Sequence, residues 1–252
     1  MSPKGKLRLD LLLVEQGLAE TRSKARALIM AGEVVVNDQR VDKAGTLVPT
    51  GAALRLKTGV IPYVSRGGLK LERGLEAFKI APAGLRCLDL GASTGGFTDC
   101  LLQRGAAEVV AVDVGYGQLH NRLRNDPRVV IMERTNARAL TLDQLGGAPA
   151  QLVVADCSFI SLTLLLPAAE ACMAPGAGLL ALVKPQFEAG PAQVGKGGVV
   201  RDEAVRAATV EKIGAAAAAL GLEVVGHVPS PITGPAGNVE YLLYATKPWT
   251  SS

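Results

Sequence analysis

The stretch "LDLGASTGGFTDCLLQRGA", residues 88–106, decides the fold. It reads as the end of a strand, a glycine-rich turn and the start of a helix, a place where nucleotides are held. A dinucleotide fingerprint would need glycines at 91, 93 and 96. Gly91 and Gly96 comply, but position 93 is Ser, and the middle glycine is what lets a pyrophosphate approach the backbone. A P-loop would need Gly-Lys-Ser/Thr, and this turn has none. Asp113 ends the next apolar run, where an acid accepts ribose hydroxyls. The implied ligand has a ribose and no pyrophosphate. S-adenosylmethionine meets that description.

Outward from the turn the pattern is regular. Expected strands are "RCLDL" (86–90), "EVVAVD" (108–113), "RVVIM" (128–132), "QLVVAD" (151–156), "GLLALVK" (178–184), "LEVVGHV" (222–228) and "VEYLLYA" (239–245). Helical stretches separate most of them, which predicts a doubly wound, Rossmann-like α/β sheet. Only a loop joins the last two, so the final strand is expected to run antiparallel. "GPAQVGKGG" sets Gly190, Gly195 and Lys196 at P-loop spacing, but Gly197 replaces the magnesium-binding hydroxyl and no first strand precedes it. It reads as a mobile loop over the site.

Residues 1–58 predict a separate small α+β domain, joined by a linker at 59–66 to a catalytic domain at 67–252. Helices are expected through "RLDLLLVEQ" and "TRSKARALIMAG", the second capped by Thr21 and stopped by Gly32, and strands through "EVVVN" and "LRLK". In the second helix Ala25, Leu28 and Ile29 are expected to face inward, with Arg22, Lys24 and Arg26 outward. Residues 1–58 hold ten basic side chains against six acidic, which accounts for the whole formal charge of +4. A basic lobe beside a neutral body points to a polyanion-binding module. Arg22, Lys24 and Arg40 are its candidate RNA contacts. Charge reversal at Arg22 and Lys24 is expected to weaken RNA binding without loss of folding.

The four cysteines form no C-x-x-C pair and have no neighbouring histidine, so no metal site is expected. Nothing resembles a signal peptide, and no run of about 18 apolar residues exists. No membrane association and a cytoplasmic location are the default expectations. His120 and His227 lie away from the strand ends that matter. Asp156 and Lys184 end strands at the cofactor edge, Glu240 begins the antiparallel strand at the same edge, and Lys70 lies on a helix entering the sheet domain. Two lysines and two carboxylates can therefore converge. "DCSF" (156–159) lacks the Asp/Asn-Pro-Pro-Tyr/Phe motif of base-amino methylation. It does offer Cys157 for carbon-5 attack on cytosine, without the usual preceding proline.

The segments "RLDLLLVEQGLAETRSKARALIMAGEVVVN", "VSRGGLKLERGLEAF", "VVAVDVGYGQL", "VVADCSFISL", "ALVKPQFE", "VGKGGVVRD" and "GNVEYLL", together with 88–106, resemble the TlyA family of ribosomal RNA methyltransferases. The first resembles a small RNA-binding domain also found in a ribosomal small-subunit protein and in tyrosyl-tRNA synthetases. The remainder resembles the FtsJ-like ribose methyltransferases, whose Lys-Asp-Lys-Glu tetrad corresponds to Lys70, Asp156, Lys184 and Glu240. The resemblance implies 2′-O-methylation of cytidine in ribosomal RNA or ribosomal subunits. It implies S-adenosylmethionine held by Gly91, Ser93, Gly95, Gly96, Phe97, Asp113, Asn136 and Asp156. Asn136 stands where relatives often carry Asp facing adenine, and an amide can still bond adenine.

A 2′-hydroxyl must lose its proton as it attacks the sulfonium methyl. With no histidine in place the base must be a lysine, eased by burial or a nearby cation. Lys184 is the expected base and Lys70 the second cation, with Asp156 and Glu240 orienting them. Two other classes compete: a haemolysin-like pore-former, and a non-catalytic RNA-binding factor. The missing leader and membrane span weigh against the first, and the complete tetrad and glycine turn against the second.

Overall fold

The computed structural model describes residues 5–37, 39–56 and 61–249. Lys57, at the end of the expected "LRLK" strand, and residues 59–60 of the expected linker lie outside the described residues. The chain divides into two compact units, Met1–Pro62 and Tyr63–Ser252.

The small unit runs β1 (Lys6–Arg8), α1 (Leu9–Glu15), α2 (Arg22–Met30), β2 (Val34–Val36), β3 (Gln39–Arg40), β4 (Leu47–Pro49) and β5 (Leu54–Leu56). β1 pairs antiparallel with β4, and β2 lies between β3 and β5, antiparallel to both. Leu9, Leu12 and Leu13 of α1 and Ala25 and Ile29 of α2 share one core with Val34, Val36, Val48 and Leu56. The three- and four-residue spacings are what one buried helix face requires. Leu28, expected inside, is only partly buried against that core. Thr21 caps α2, its side chain accepting from Lys24 N at 3.1 Å. β1, β3 and β4 had no counterpart in the sequence reading, because strands of two or three residues show no measurable alternation.

Asp10, on the buried side of α1, is fully inaccessible and is held by two guanidinium groups. Arg8 donates to both of its oxygens at 3.0 Å, and Arg22 Nε to Oδ2 at 2.9 Å. The Arg8 hydrogen bonds, aided by Arg22 and opposed by burial, hold the carboxyl well below the usual carboxylate range. Arg22 is therefore a structural partner as well as an exposed cation. Reversing its charge would set two carboxylates together, so Arg22 reversal is expected to cost stability that Lys24 reversal does not.

The large unit adds α3 (Gly67–Ala77), β6 (Arg86–Leu90), α4 (Gly96–Gln103), β7 (Glu108–Val112), α5 (Asn121–Arg124), β8 (Val129–Met132), β9 (Ala150–Ala155), α6 (Leu166–Ala171), β10 (Met173–Val183), α7 (Pro185–Glu188), α8 (Glu203–Ala219), β11 (Glu223–Pro229) and β12 (Tyr241–Thr246). One seven-stranded sheet has the order β11-β12-β10-β9-β6-β7-β8. β6 through β10 pair in parallel, and β12 is antiparallel to both neighbours. This is the mixed doubly wound sheet that the spacing predicts. Apolar residues of the central strands and of α6 and α8 form its core.

Tyr63–Arg66, which the sequence assigns to the linker, is packed into this unit. The Tyr63 hydroxyl donates to Glu72 at 2.8 Å, and Val64 N to Asp99 at 2.8 Å. "GPAQVGKGG" forms a short 3-10 turn at Pro191–Gln193 and a hairpin-like bridge between Gly195 and Val199. Asn238 pins it, donating to Gly198 O and accepting from Val200 N.

Asp10→Asn is expected to cost the small unit about 1–3 kcal/mol at neutral pH, as for a lost charged hydrogen-bond partner. Because the folded value is depressed, this stabilisation is present above the unfolded value of about 4. It is lost as pH falls from there through the folded value. Thermal unfolding of both proteins from neutral to acid pH checks the size and the direction, and Asp10→Asn should show the weaker acid dependence.

Candidate active site

Strand register assembles the site. Leu90 pairs with Val112 and Ala155, so Gly91, Asp113 and Asp156 are the next residues outward on neighbouring strands. Asp156 N donates to Leu90 O at 3.0 Å. Val183 pairs with Tyr241 in antiparallel register, so Lys184 and Glu240 extend the same edge. Lys70, in the second turn of α3, is buried beside them. The four tetrad residues line one cavity of about 610 Å³.

They form two ion pairs. Lys70 Nζ lies 2.6 Å from Glu240 Oε2. Lys184 Nζ lies 2.6 Å from Asp156 Oδ1 and 2.7 Å from Ser158 Oγ. The Asp156 contact is charge pairing without hydrogen-bond direction. Lys70, Lys184 and Glu240 are each less than a tenth exposed. Removing one member of such a pair strands a buried charge, so the partners hold one another in place.

The glycine turn closes the other side. Gly91 has φ +86°, and a Cβ there would lie 2.9 Å from Asp156 O. Gly95 has φ +95°, and its Cβ would strike Leu123. Ser93 has φ +49°, so the residue that argues against a dinucleotide also takes a left-handed conformation uncommon for a side chain. Asp113 ties the turn to the next strand, accepting Ser93 N at 2.8 Å and Gly115 N at 2.7 Å. Gly96 and the buried Phe97 begin α4 and line the tetrad cavity.

A second cavity of about 490 Å³ is lined by Asp113, Asn136, Ala137 and Ile160, and it shares Gly91, Ser93, Asp156, Ser158 and Phe159 with the first. Asn136 caps the 3-10 turn Ala137–Ala139, its Oδ1 accepting from Arg138 N at 3.1 Å. That bond assigns the amide and keeps its two N–H donors for other partners.

The candidate RNA contacts lie on the small unit, Arg22 and Lys24 on α2 and Arg40 on β3. Arg22 begins α2 and binds Asp10. Lys24 lies 3.7 Å from Glu20. The Arg40 guanidinium packs over Gly32, beyond the other end of α2. His120 caps α5 and His227 packs edge-on to Tyr241, so neither joins the tetrad cavity.

Sequence reasoning passed over three features. Asp89 is completely buried and accepts from Thr98 Oγ1 at 2.6 Å. Burial pushes its carboxyl up to about 7, against the Thr98 hydrogen bond and with the charge of Asp156 adding to the rise. Ser158 touches Lys184. Phe159 is 91% exposed at φ +64°, with its ring tilted against that of Phe187 at 5.2 Å between centroids. An apolar position inside "DCSFISL" gives no sign of that exposure.

Cys157 donates weakly to Leu90 O at 3.4 Å, and burial pushes its thiol up to about 12. That leaves almost no thiolate for attack on a base. Burial raises Cys87 and Cys100 to the same level. Mass spectrometry after brief iodoacetamide treatment at pH 8 should find these three thiols nearly unmodified in the native protein and all four cysteines modified after unfolding.

The sequence profile described as FtsJ-like methyltransferase matches residues 63–247, and the S4 domain profile matches residues 7–54. The 16S/23S rRNA (cytidine-2'-O)-methyltransferase TlyA of Mycobacterium tuberculosis is 54% identical, over 94% of this chain and 88% of its own length. Hemolysin A of Brachyspira hyodysenteriae is 40% identical over 94% of this chain and 99% of its own. Among solved structures, a Streptococcus thermophilus protein described as a hemolysin superposes with a TM-score of 0.78 at 44% identity, covering 97% of this chain and 90% of that one. Both kinds of label thus fall on relatives that match this chain along nearly its whole length. A sheet edge bearing the tetrad and glycine turn, within a profile match spanning the large unit, establishes that the chain belongs to the FtsJ-like methyltransferase family, in its TlyA group, with an S4 domain before the catalytic unit.

Proposed function

We propose that this chain methylates the 2′-hydroxyl of a cytidine in ribosomal RNA, with S-adenosylmethionine as methyl donor and Lys184 as general base. The carrying observation is the pair of ion pairs, Lys184–Asp156 and Lys70–Glu240, lining one cavity beside the glycine turn. The residues present fit the donor. Gly91 and Ser93 line both cavities, and the second cavity, with Asp113 and Asn136 on its wall, has the size of a small-molecule pocket. Gly91, Ser93, Gly95, Gly96, Phe97, Asp113, Asn136 and Asp156 would hold it. When bound, it supplies a methyl group activated on a sulfonium.

The chain's own residues do the rest. Once its ammonium has released a proton to solvent, Lys184 Nζ accepts the 2′-hydroxyl proton as that oxygen attacks the methyl, and Asp156 stabilises the ammonium that re-forms. Glu240 holds Lys70, whose charge faces the same cavity. General-base help of this kind is worth roughly 10²–10⁴-fold in rate, and alignment of oxygen and methyl supplies much of the remainder. Lys184→Ala should lower single-turnover transfer to ribosomal RNA by about that factor and leave cofactor affinity largely intact by calorimetry, whereas Cys157→Ala should stay near wild type. The opposite result would mean methylation of a base carbon. Nuclease digestion and mass spectrometry should identify the product as 2′-O-methylcytidine. Asp113→Ala should weaken cofactor binding by about 1–3 kcal/mol, partly through release of the turn it ties down.

We assign much of the RNA affinity to the basic small unit, residues 1–58, ahead of a catalytic domain that includes Tyr63–Arg66. Lys24 and Arg40 keep charges for phosphates, and Arg22 contributes those N–H groups that Asp10 leaves free. Each phosphate contact should add about 0.7–0.9 to the slope of log affinity against log salt. Deleting residues 1–58 should weaken RNA binding and flatten that slope while cofactor binding survives. Unchanged affinity and slope would remove the assignment. The pore-forming reading has less support: among the described residues no helix is long and apolar enough to cross a membrane. The non-catalytic reading leaves the paired lysines without a role.

A further inference from the structure

Lys184 carries its amine on a flexible four-carbon stem, and a neutral amine can accept a proton only along its single lone pair. The other two positions on nitrogen are N–H bonds. A base on such a rotor gains when an N–H bond is held, because that limits the directions left to the lone pair. Two oxygens lie within reach of Nζ, Asp156 Oδ1 at 2.6 Å and Ser158 Oγ at 2.7 Å. They differ in kind. Asp156 pairs by charge without hydrogen-bond direction, whereas the Ser158 contact is a directional hydrogen bond.

We propose that Ser158 is a positioning residue for methyl transfer: its hydroxyl fixes the rotation of the Lys184 amine so that the lone pair faces the cavity where the 2′-hydroxyl must sit. This rests on the reading of Lys184 as the base. Asp156 supplies charge and Ser158 supplies direction.

The backbone supports the assignment. Phe159, directly after Ser158, holds φ +64°, a conformation that side chains rarely adopt and that clusters at functional sites. Burial of its ring cannot be the reason, because Phe159 is 91% exposed. The kink turns the chain as it leaves Ser158, where the hydroxyl meets Lys184. Ser158 lines both cavities, so it stands where they meet. Phe187 lies 6.0 Å from Nζ, which offers a weak attraction to a cation.

The test is single-turnover transfer from labelled S-adenosylmethionine to unmethylated ribosomal RNA by the full-length protein, with cofactor affinity measured separately. Ser158→Ala should slow transfer about 10- to 100-fold at saturating cofactor, the scale of a misplaced reacting group, with cofactor affinity unchanged. Ser158→Thr, which keeps the hydroxyl, should recover most of the rate. In a Lys184→Ala background, Ser158→Ala should add no further loss. Ser158→Ala at the wild-type rate beside an inactive Lys184→Ala would overturn this proposal and leave the lysine reading standing. So would Ser158→Thr as slow as Ser158→Ala, or an equal further loss in the Lys184→Ala background. Lys184→Ala at the wild-type rate would overturn both.

Discussion

Close approach of two strand ends controls the architecture of the site. β6 and β9 pair so tightly at Gly91 that a single Cβ would meet the Asp156 carbonyl. The glycine is therefore a condition for having Asp156 at the turn at all. From that contact the remaining positions follow by register: Asp113 one strand over on one side, Lys184 and Glu240 on the other. Parallel strands end at one edge, and the antiparallel β12 begins there, so residues far apart in sequence arrive together without any loop having to carry them.

Charge at this edge is paired before any substrate arrives. Two lysines and two carboxylates in one cavity would be costly as isolated ions, and each lysine instead sits against one carboxylate. Such pairs add little net stability, but they give a long flexible side chain one address. The same logic operates in the small unit, where inaccessible Asp10 gathers Arg8 and Arg22. There the pairing costs the basic surface some freedom, because a cation that looks available to RNA in the sequence is partly committed to the fold.

A hemolysin label and a methyltransferase label attach to relatives of nearly full-length similarity. Function is argued from the site rather than the label. The proposed methyl transfer gives the cavities, the turn and the ion pairs each a role. The free thiols do not, since burial keeps them protonated.

The sequence by itself determined the large unit almost completely. Short apolar stretches separated by helical ones located every strand of the seven-stranded sheet, and the short return before β12 its reversed direction. It also determined which edge holds the tetrad, because strand ends are readable wherever the strands are. Three matters belonged to tertiary structure. Strands of two or three residues in the small unit are too short to show alternation and exist only through their partners. Tyr63–Arg66 looks like a linker in composition, yet the Tyr63 hydroxyl and Val64 N–H find Glu72 and Asp99, acceptors that no local pattern announces. Ser158 and Phe159 sit in an ordinary-looking apolar segment; only the left-handed backbone at Phe159 and the approach of Lys184 from another strand give them a place in the site. Periodicity records which face a residue turns to its own element's neighbours, whereas a hydrogen bond between residues on different strands depends on how those strands are ordered and how far each extends.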